Sequence, residues 1–148
     1  ALHTAIAAAL PVLTALAPAP LVGGKPLLAR YLGRAALSEA IIATARDTGQ
    51  GIVVAENRDI LADLFHTGRA SGLSFRAVPP KGRALNFYQQ TLAFGPDEEG
   101  EVLAILDHVP ACDGVAITAA KRLDTKGTAY AGRDFAAYVI PAACARGL

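Results

Sequence analysis

The sequence predicts a three-layer α/β/α sandwich with a mostly parallel or mixed sheet and a C-terminal antiparallel hairpin. Three observations predict it. Gly51–Ala55 (GIVVA) and Glu101–Leu106 (EVLAIL) are short apolar runs suited to buried strands. Segments with helical periodicity alternate with strand-like ones, which favours a sheet covered on both faces. The last third contains two strand-like runs, Val115–Leu123 and Phe135–Pro141, flanking a polar loop centred near Lys126–Thr128.

In chain order, Leu2–Val22 carries no formal charge and approaches the length of a bilayer span. Pro11, Pro18 and Pro20 argue against a free-standing transmembrane helix. An apolar helix over Leu2–Leu10 followed by a Pro-rich connector is the expectation; a membrane-proximal segment is the alternative. Gly23-Gly24-Lys25-Pro26 breaks the chain there. We therefore expect residues 1–24 to form a membrane-proximal helix and connector, and residues 25–148 a single α/β domain.

Leu37, Ile41 and Ala45 recur at helical spacing until Gly49. Asn57 suits the N-cap of a second helix, with Ile60, Leu61, Leu64 and Phe65 as its apolar stripe. Gly68 and Gly72 close that element. Leu73–Val78 alternates as a strand should, and Pro79-Pro80-Lys81-Gly82 ends it. Asn86–Phe94 reads as a short strand or an ordered loop, and Gly95–Gly100 as an acidic turn.

The 148 residues suit one domain, and 53% of them are hydrophobic, with alanine prominent. A formal net charge of +1 supplies no general field for nucleic acid, so no nucleic-acid partner is expected. The chain starts at Ala1 and contains no Met, so we expect a processed form or an excised piece.

Cys112 and Cys144 lie just outside the last two strand candidates. In a hairpin centred on Thr128 they would face each other, at a separation compatible with a disulfide. Two isolated buried thiols are the alternative. A bridge would fit an oxidising compartment.

Familiar catalytic signatures are missing from the sequence. No Walker or dinucleotide fingerprint follows a strand, and there is no G-x-S-x-G elbow. His3, His66 and His108 show no ligand spacing and no Cys/His cluster occurs, so neither a metal nor a cofactor is expected. Asp59 and Asp63 share a helix face, but four-residue spacing alone does not make an acid/base pair. The segment Leu21–Ala35 resembles the Gly-Lys-Pro-Leu-Leu stretch of sugar-nucleotide nucleotidyltransferases, without the glycine-rich phosphate loop that precedes it there.

Ligands of open α/β sheets bind beyond the carboxyl ends of the strands. Those ends are polar here: Glu56-Asn57-Arg58-Asp59, Lys81-Gly82-Arg83, and Asp107-His108. Arg58, Lys81 and Arg83 could hold a phosphate or carboxylate, with Asn86 and Tyr88 nearby. Solvated loops are the competing explanation.

Three segments together resemble a known family. GKPLLARYLGRAALSEAI (Gly24–Ile41), VVAENRDILADLFHTGRASGL (Val53–Leu73) and PPKGRALNFYQQT (Pro79–Thr91) are similar to the C-terminal part of bacterial family 39 glycosyltransferases. That group includes the protein mannosyltransferases and lipid A aminoarabinose transferases. The resemblance implies a multi-spanning parent enzyme that takes a sugar from a polyprenyl-phosphate donor on the extracytoplasmic, periplasmic face of the bacterial inner membrane. Its catalytic acids lie in upstream loops that nothing here matches, so no catalytic residue is assigned to this chain. The implied role is a non-catalytic accessory domain. Its partners would be the transmembrane portion of its own chain and either a polyprenyl-phosphate sugar or an acceptor lipid. The alternatives are an independent small-molecule- or nucleotide-binding α/β domain, or a nucleotidyltransferase-like fragment.

Overall fold

A computed structural model describes residues 2–16, 21–22, 25–26, 29–112 and 117–148. Helix α1 (Leu2–Leu16) is followed by a two-residue antiparallel pair, β1 (Leu21–Val22) with β2 (Lys25–Pro26). A 3-10 turn over Ala29–Tyr31 leads to α2 (Arg34–Asp47), β3 (Ile52–Ala55), α3 (Arg58–Thr67) and β4 (Ser74–Ala77). Then come α4 (Phe87–Thr91), β5 (Glu101–Leu106), β6 (Lys121–Arg122), β7 (Ala136–Pro141) and α5 (Ala142–Gly147).

The main sheet has five strands in the order β4-β3-β5-β7-β6. β3 pairs in parallel with both β4 and β5, while β7 runs antiparallel to β5 and β6. The sheet is therefore mixed, as the sequence predicts. Its two most apolar strands lie at the centre, where both faces are shielded from water.

Strand pleating divides the core in two. Val53, Ala55, Leu103 and Ile105 face Leu37, Ile41 and Ala45 of α2 and Ile60, Leu61 and Leu64 of α3. Val54, Val102, Ala104 and Leu106 point the other way, toward Val78, Phe94, Ala142 and Ala145. On that second face, the short α5 together with Cys112, Ile117 and Ala119 supplies cover. The third layer is thus thinner than the first.

Gly68 sets how closely α3 approaches the sheet. A β-carbon there would lie 2.5 Å from Phe75 Cζ and 2.7 Å from the Leu64 carbonyl oxygen. Gly33, with φ +65°, turns the chain into α2 against Thr128. Beside it the Ala129 amide donates to the Leu32 carbonyl at 2.7 Å.

Several expectations need correction. The first helix runs to Leu16 and not Leu10, carrying Pro11 inside it. The strong helix propensity of its Ala and Leu residues favours continuation past that proline. Among the described residues, no helix is long and apolar enough to cross a membrane. Residues 17–20 and 23–24, which hold part of the expected connector and the two glycines of its breaker, lie outside the described residues.

The Asn86–Phe94 segment contains a helical turn and not a strand. Asn86 caps it by accepting from the Gln89 amide at 3.1 Å, and Gln89 Oε1 accepts from the Leu85 amide at 2.9 Å. These reciprocal bonds commit the backbone to a turn. Only an isolated parallel bridge, Ala77 to Ala93, remains of strand character there.

The final hairpin also differs. Lys121 pairs with Ala137 and Arg122 with Ala136, a register two residues away from one centred on Thr128. A hairpin centred on Thr128 would set Val115 opposite Pro141, and Val115 lies outside the described residues. Pro141 instead pairs with Glu101 on β5 and precedes α5, which carries Cys144. Cys112 and Cys144 form a disulfide with their α-carbons 5.3 Å apart. The bridge joins a loop to a helix, and owes nothing to opposed hairpin positions.

Candidate functional site

The strand order places a crevice between two particular strands. From β3 the chain passes through α3 to β4 on one side; it then returns to β5 on the other side of β3. The connections leaving β3 and β5 thus diverge at their carboxyl ends, where open sheets of this kind admit ligands. A cavity of about 370 Å³ opens there.

Glu56, Asn57 and Arg58 enter it from the end of β3, and Ile105, Leu106 and Asp107 from β5. Leu85, Asn86 and Gln89 close a further side from α4 and the two residues leading into it, and Arg133 with Phe135 arrive from the stretch before β7. A second hollow of about 350 Å³ shares Glu56, Leu85 and Gln89 with the first. Its other lining includes Lys81 and Arg83. Together they form one polar groove along the carboxyl edge of β4, β3 and β5.

The amide side chains in this groove have fixed orientations. Asn57 Oδ1 accepts from the Asp59 and Ile60 amides at 2.9 and 3.2 Å, capping α3. Asn86 Oδ1 and Gln89 Oε1 are likewise held by backbone N–H groups at 3.1 and 2.9 Å. A backbone N–H requires the oxygen, so in all three the NH2 end is the one left over. No described residue accepts from those three NH2 groups.

The charged groups divide into engaged and available. Arg133 Nη2 donates to Asp107 Oδ2 at 2.5 Å, and its guanidinium lies over the Phe135 ring, 4.6 Å from the centroid. That bond holds the Asp107 carboxyl below its ordinary value; His108 adds to the effect and partial burial opposes it. The Arg58 side chain is 70% exposed and, among the described residues, pairs only with Asp59, at 3.5 Å, on its own helix. Glu56, Asp107 and His108 bring candidate cation-ligand atoms within 4.8 Å of one another, all on exposed side chains.

Not every residue expected at the site lies in the groove. Asp59 faces solvent in the first turn of α3 and lines neither hollow. Tyr88 stacks on Phe65, with ring centroids 5.5 Å apart and planes 5° from parallel, and packs half-buried against the core. His108 stands outside the cavity wall, 3.8 Å from Glu56 and 3.4 Å from Asp107. Conversely, sequence reading misses Gln89, Arg133 and Phe135. Arg133 and Phe135 are remote in sequence from the strand ends they join, so only the topology reveals them.

A second polar cluster lies away from the groove. Arg34 Nη1 donates to both oxygens of Asp63, at 3.1 and 2.9 Å, and Tyr130 donates to Asp63 Oδ2 at 2.6 Å. Burial, then the Asp63 carboxylate, raise the Tyr130 phenol well above its ordinary value. This cluster ties α2, α3 and the loop before β7, and serves the fold.

No protein-family model matches the chain, and no solved structure matches it. Among curated proteins it is 34% identical over 124 residues to lipid A galacturonosyltransferase RgtD of Rhizobium johnstonii. The matched region takes in 84% of this chain but 26% of that enzyme. The similarity relates this chain to a glycosyltransferase, about a quarter of whose length it spans.

Proposed function

We propose that this chain is the accessory, non-catalytic domain of an integral-membrane glycosyltransferase resembling family 39. The parent transfers a sugar from a polyprenyl-phosphate donor to a lipid or protein acceptor on the extracytoplasmic, periplasmic side. The observation that carries the reading is the lopsided coverage: 84% of this chain corresponds to 26% of a lipid A galacturonosyltransferase. An entire α/β fold then accounts for a minor part of the enzyme.

Two structural features support it. Asp107, a carboxylate in the groove, is tied to Arg133 and held below its ordinary pKa, which makes it a weak base for taking a proton from an acceptor. The Cys112–Cys144 bridge suits an oxidising compartment.

The test compares the purified parent enzyme with this chain alone, using a labelled polyprenyl-phosphate sugar and lipid acceptor. The parent should transfer label and this chain should transfer none. Transfer catalysed by this chain alone contradicts the reading.

A second reading, an independent small-molecule- or nucleotide-binding domain, is favoured by the cavity at the strand crossover. It requires a ligand-dependent stabilisation of a protein with no membrane-embedded partner.

A further inference from the structure

We infer that residues 81–87 form a lipid-contact face, which seats Leu85 and Phe87 in the surface of an anionic phospholipid bilayer with Lys81 and Arg83 against the headgroup phosphates. The inference goes beyond the accessory role, which needs no particular face of this domain to touch lipid.

Exposed large apolar side chains are unevenly distributed. From Arg34 onward, among the described residues, they are Leu85 at 86% exposed, Phe87 at 64% and Val109 at 65%. All three follow the carboxyl ends of strands, Leu85 and Phe87 after β4 and Val109 after β5. A single exposed apolar residue is ordinary, whereas two neighbours presented together mark an interaction face. Leu85 also lines both hollows, so the groove opens beside this face.

The local backbone presents these side chains outward. Lys81, Arg83, Leu85 and Phe87 are exposed, while Ala84, Asn86 and Tyr88 are half-buried. Asn86 is extended, at φ −151° and ψ 168°, so the residues flanking it project to one side. Its own side chain caps α4 by accepting from the Gln89 amide, and the Leu85 amide donates to Gln89 Oε1 at 2.9 Å. Tyr88 meets the Phe87 ring edge-on, with centroids 5.8 Å apart, and stacks on Phe65, bracing the tip against the core. A braced anchor loses little freedom on binding.

Charge and size identify the occupant. Residues 79–95 contain Lys81 and Arg83 and no acidic residue. Among the described residues, neither cation has an ion-pair partner. The acids nearest the groove lie beside other groups: Asp107 pairs with Arg133, Asp59 with Arg58, and Glu56 is 3.8 Å from His108. Unpaired cations next to apolar tips match a bilayer interface, where anionic phosphates lie above acyl chains. Two side chains fall far short of the roughly 800 Å² that each partner buries in a stable protein interface. Lipid accepts them without a shaped counterpart.

The chain contains no Trp, so Phe87→Trp supplies a single fluorescent reporter at the tip. Ala70→Trp places the same reporter at an exposed position between α3 and β4, on the opposite edge of the sheet. Each chain is mixed with vesicles of phosphatidylcholine and phosphatidylglycerol, with and without brominated acyl chains, and with vesicles of phosphatidylcholine alone. Bromolipid in the anionic vesicles should quench Phe87→Trp and leave Ala70→Trp unchanged, which separates contact by this face from binding through the first helix. Neutral vesicles should require about tenfold more lipid for half-maximal quenching, and so should Phe87→Trp carrying Lys81→Gln and Arg83→Gln on anionic vesicles. These are exposed positions, so every variant should melt like the parent chain. An unquenched Phe87→Trp overturns the proposal and assigns the face to a protein partner. Equal quenching of Ala70→Trp overturns it too, as does quenching indifferent to lipid charge or to the two cations.

Discussion

The Tyr130 hydroxyl donates to Asp63 Oδ2 at 2.6 Å, joining residues 67 positions apart, and Arg34 completes the cluster from α2. The Asp63 side chain is 16% exposed and that of Arg34 28%, so solvent screens the pair only partly. Asp63→Ala should destabilise the chain by about 2–3 kcal/mol, because it strands two donors. Tyr130→Phe should cost about 1 kcal/mol. Urea melts of the single and double variants check both values, and the cycle should show coupling between the two sites.

The same cluster makes stability fall at high pH. Burial and Asp63 raise the folded-state pKa of Tyr130, so its contribution is intact below the unfolded value of about 10. It is lost as the pH rises through the folded value. Urea melts from neutral to strongly alkaline pH should show this decline, and Tyr130→Phe should flatten it.

Asp107 behaves in the opposite sense. Arg133, helped by His108, depresses its folded pKa, so its contribution is present above the unfolded value of about 3.9. That contribution is lost as pH falls through the folded value. Carboxyl-carbon NMR titration should place Asp107 below an ordinary aspartate, and Arg133→Gln should move it upward.

Reducing the Cys112–Cys144 bridge releases a crosslink spanning 32 positions. Chain-entropy arguments put its contribution at about 3–4 kcal/mol. A Cys112→Ser, Cys144→Ser chain should show that loss in denaturant melts and should no longer respond to reductant.

Gly68→Ala should destabilise by about 1–3 kcal/mol, because the added carbon meets Phe75 and the Leu64 carbonyl. Gly51→Ala, where nothing lies within 4 Å, is the matched control. Thermal melts of the two variants distinguish close packing from a general intolerance of alanine.

Local sequence carried much of the fold because its signals were local and strong. The apolar runs at β3 and β5, the Asn57 cap and the alternation at β4 each specify one element with little outside help. Failures occurred where tertiary contacts decide. Phe87–Thr91 is helical because Asn86 and Gln89 bond the backbone and Tyr88 stacks on Phe65, a partner over twenty residues away. The hairpin register is set by the pairing of β7 with β5, not by the turn near Thr128. At the site, residues following strands could be read off the sequence, since the carboxyl ends of strands converge in any such sheet. Arg133 and Phe135 could not, because their approach depends on β7 lying beside β5.

Cell fractionation with an antibody against residues 34–148 tests most directly whether this fold belongs to a membrane-embedded glycosyltransferase. The antigen should stay in the membrane fraction after alkaline carbonate washing, as a band several times heavier than the 15.2 kDa of this chain. A carbonate-soluble antigen at the mass of the chain alone would contradict it.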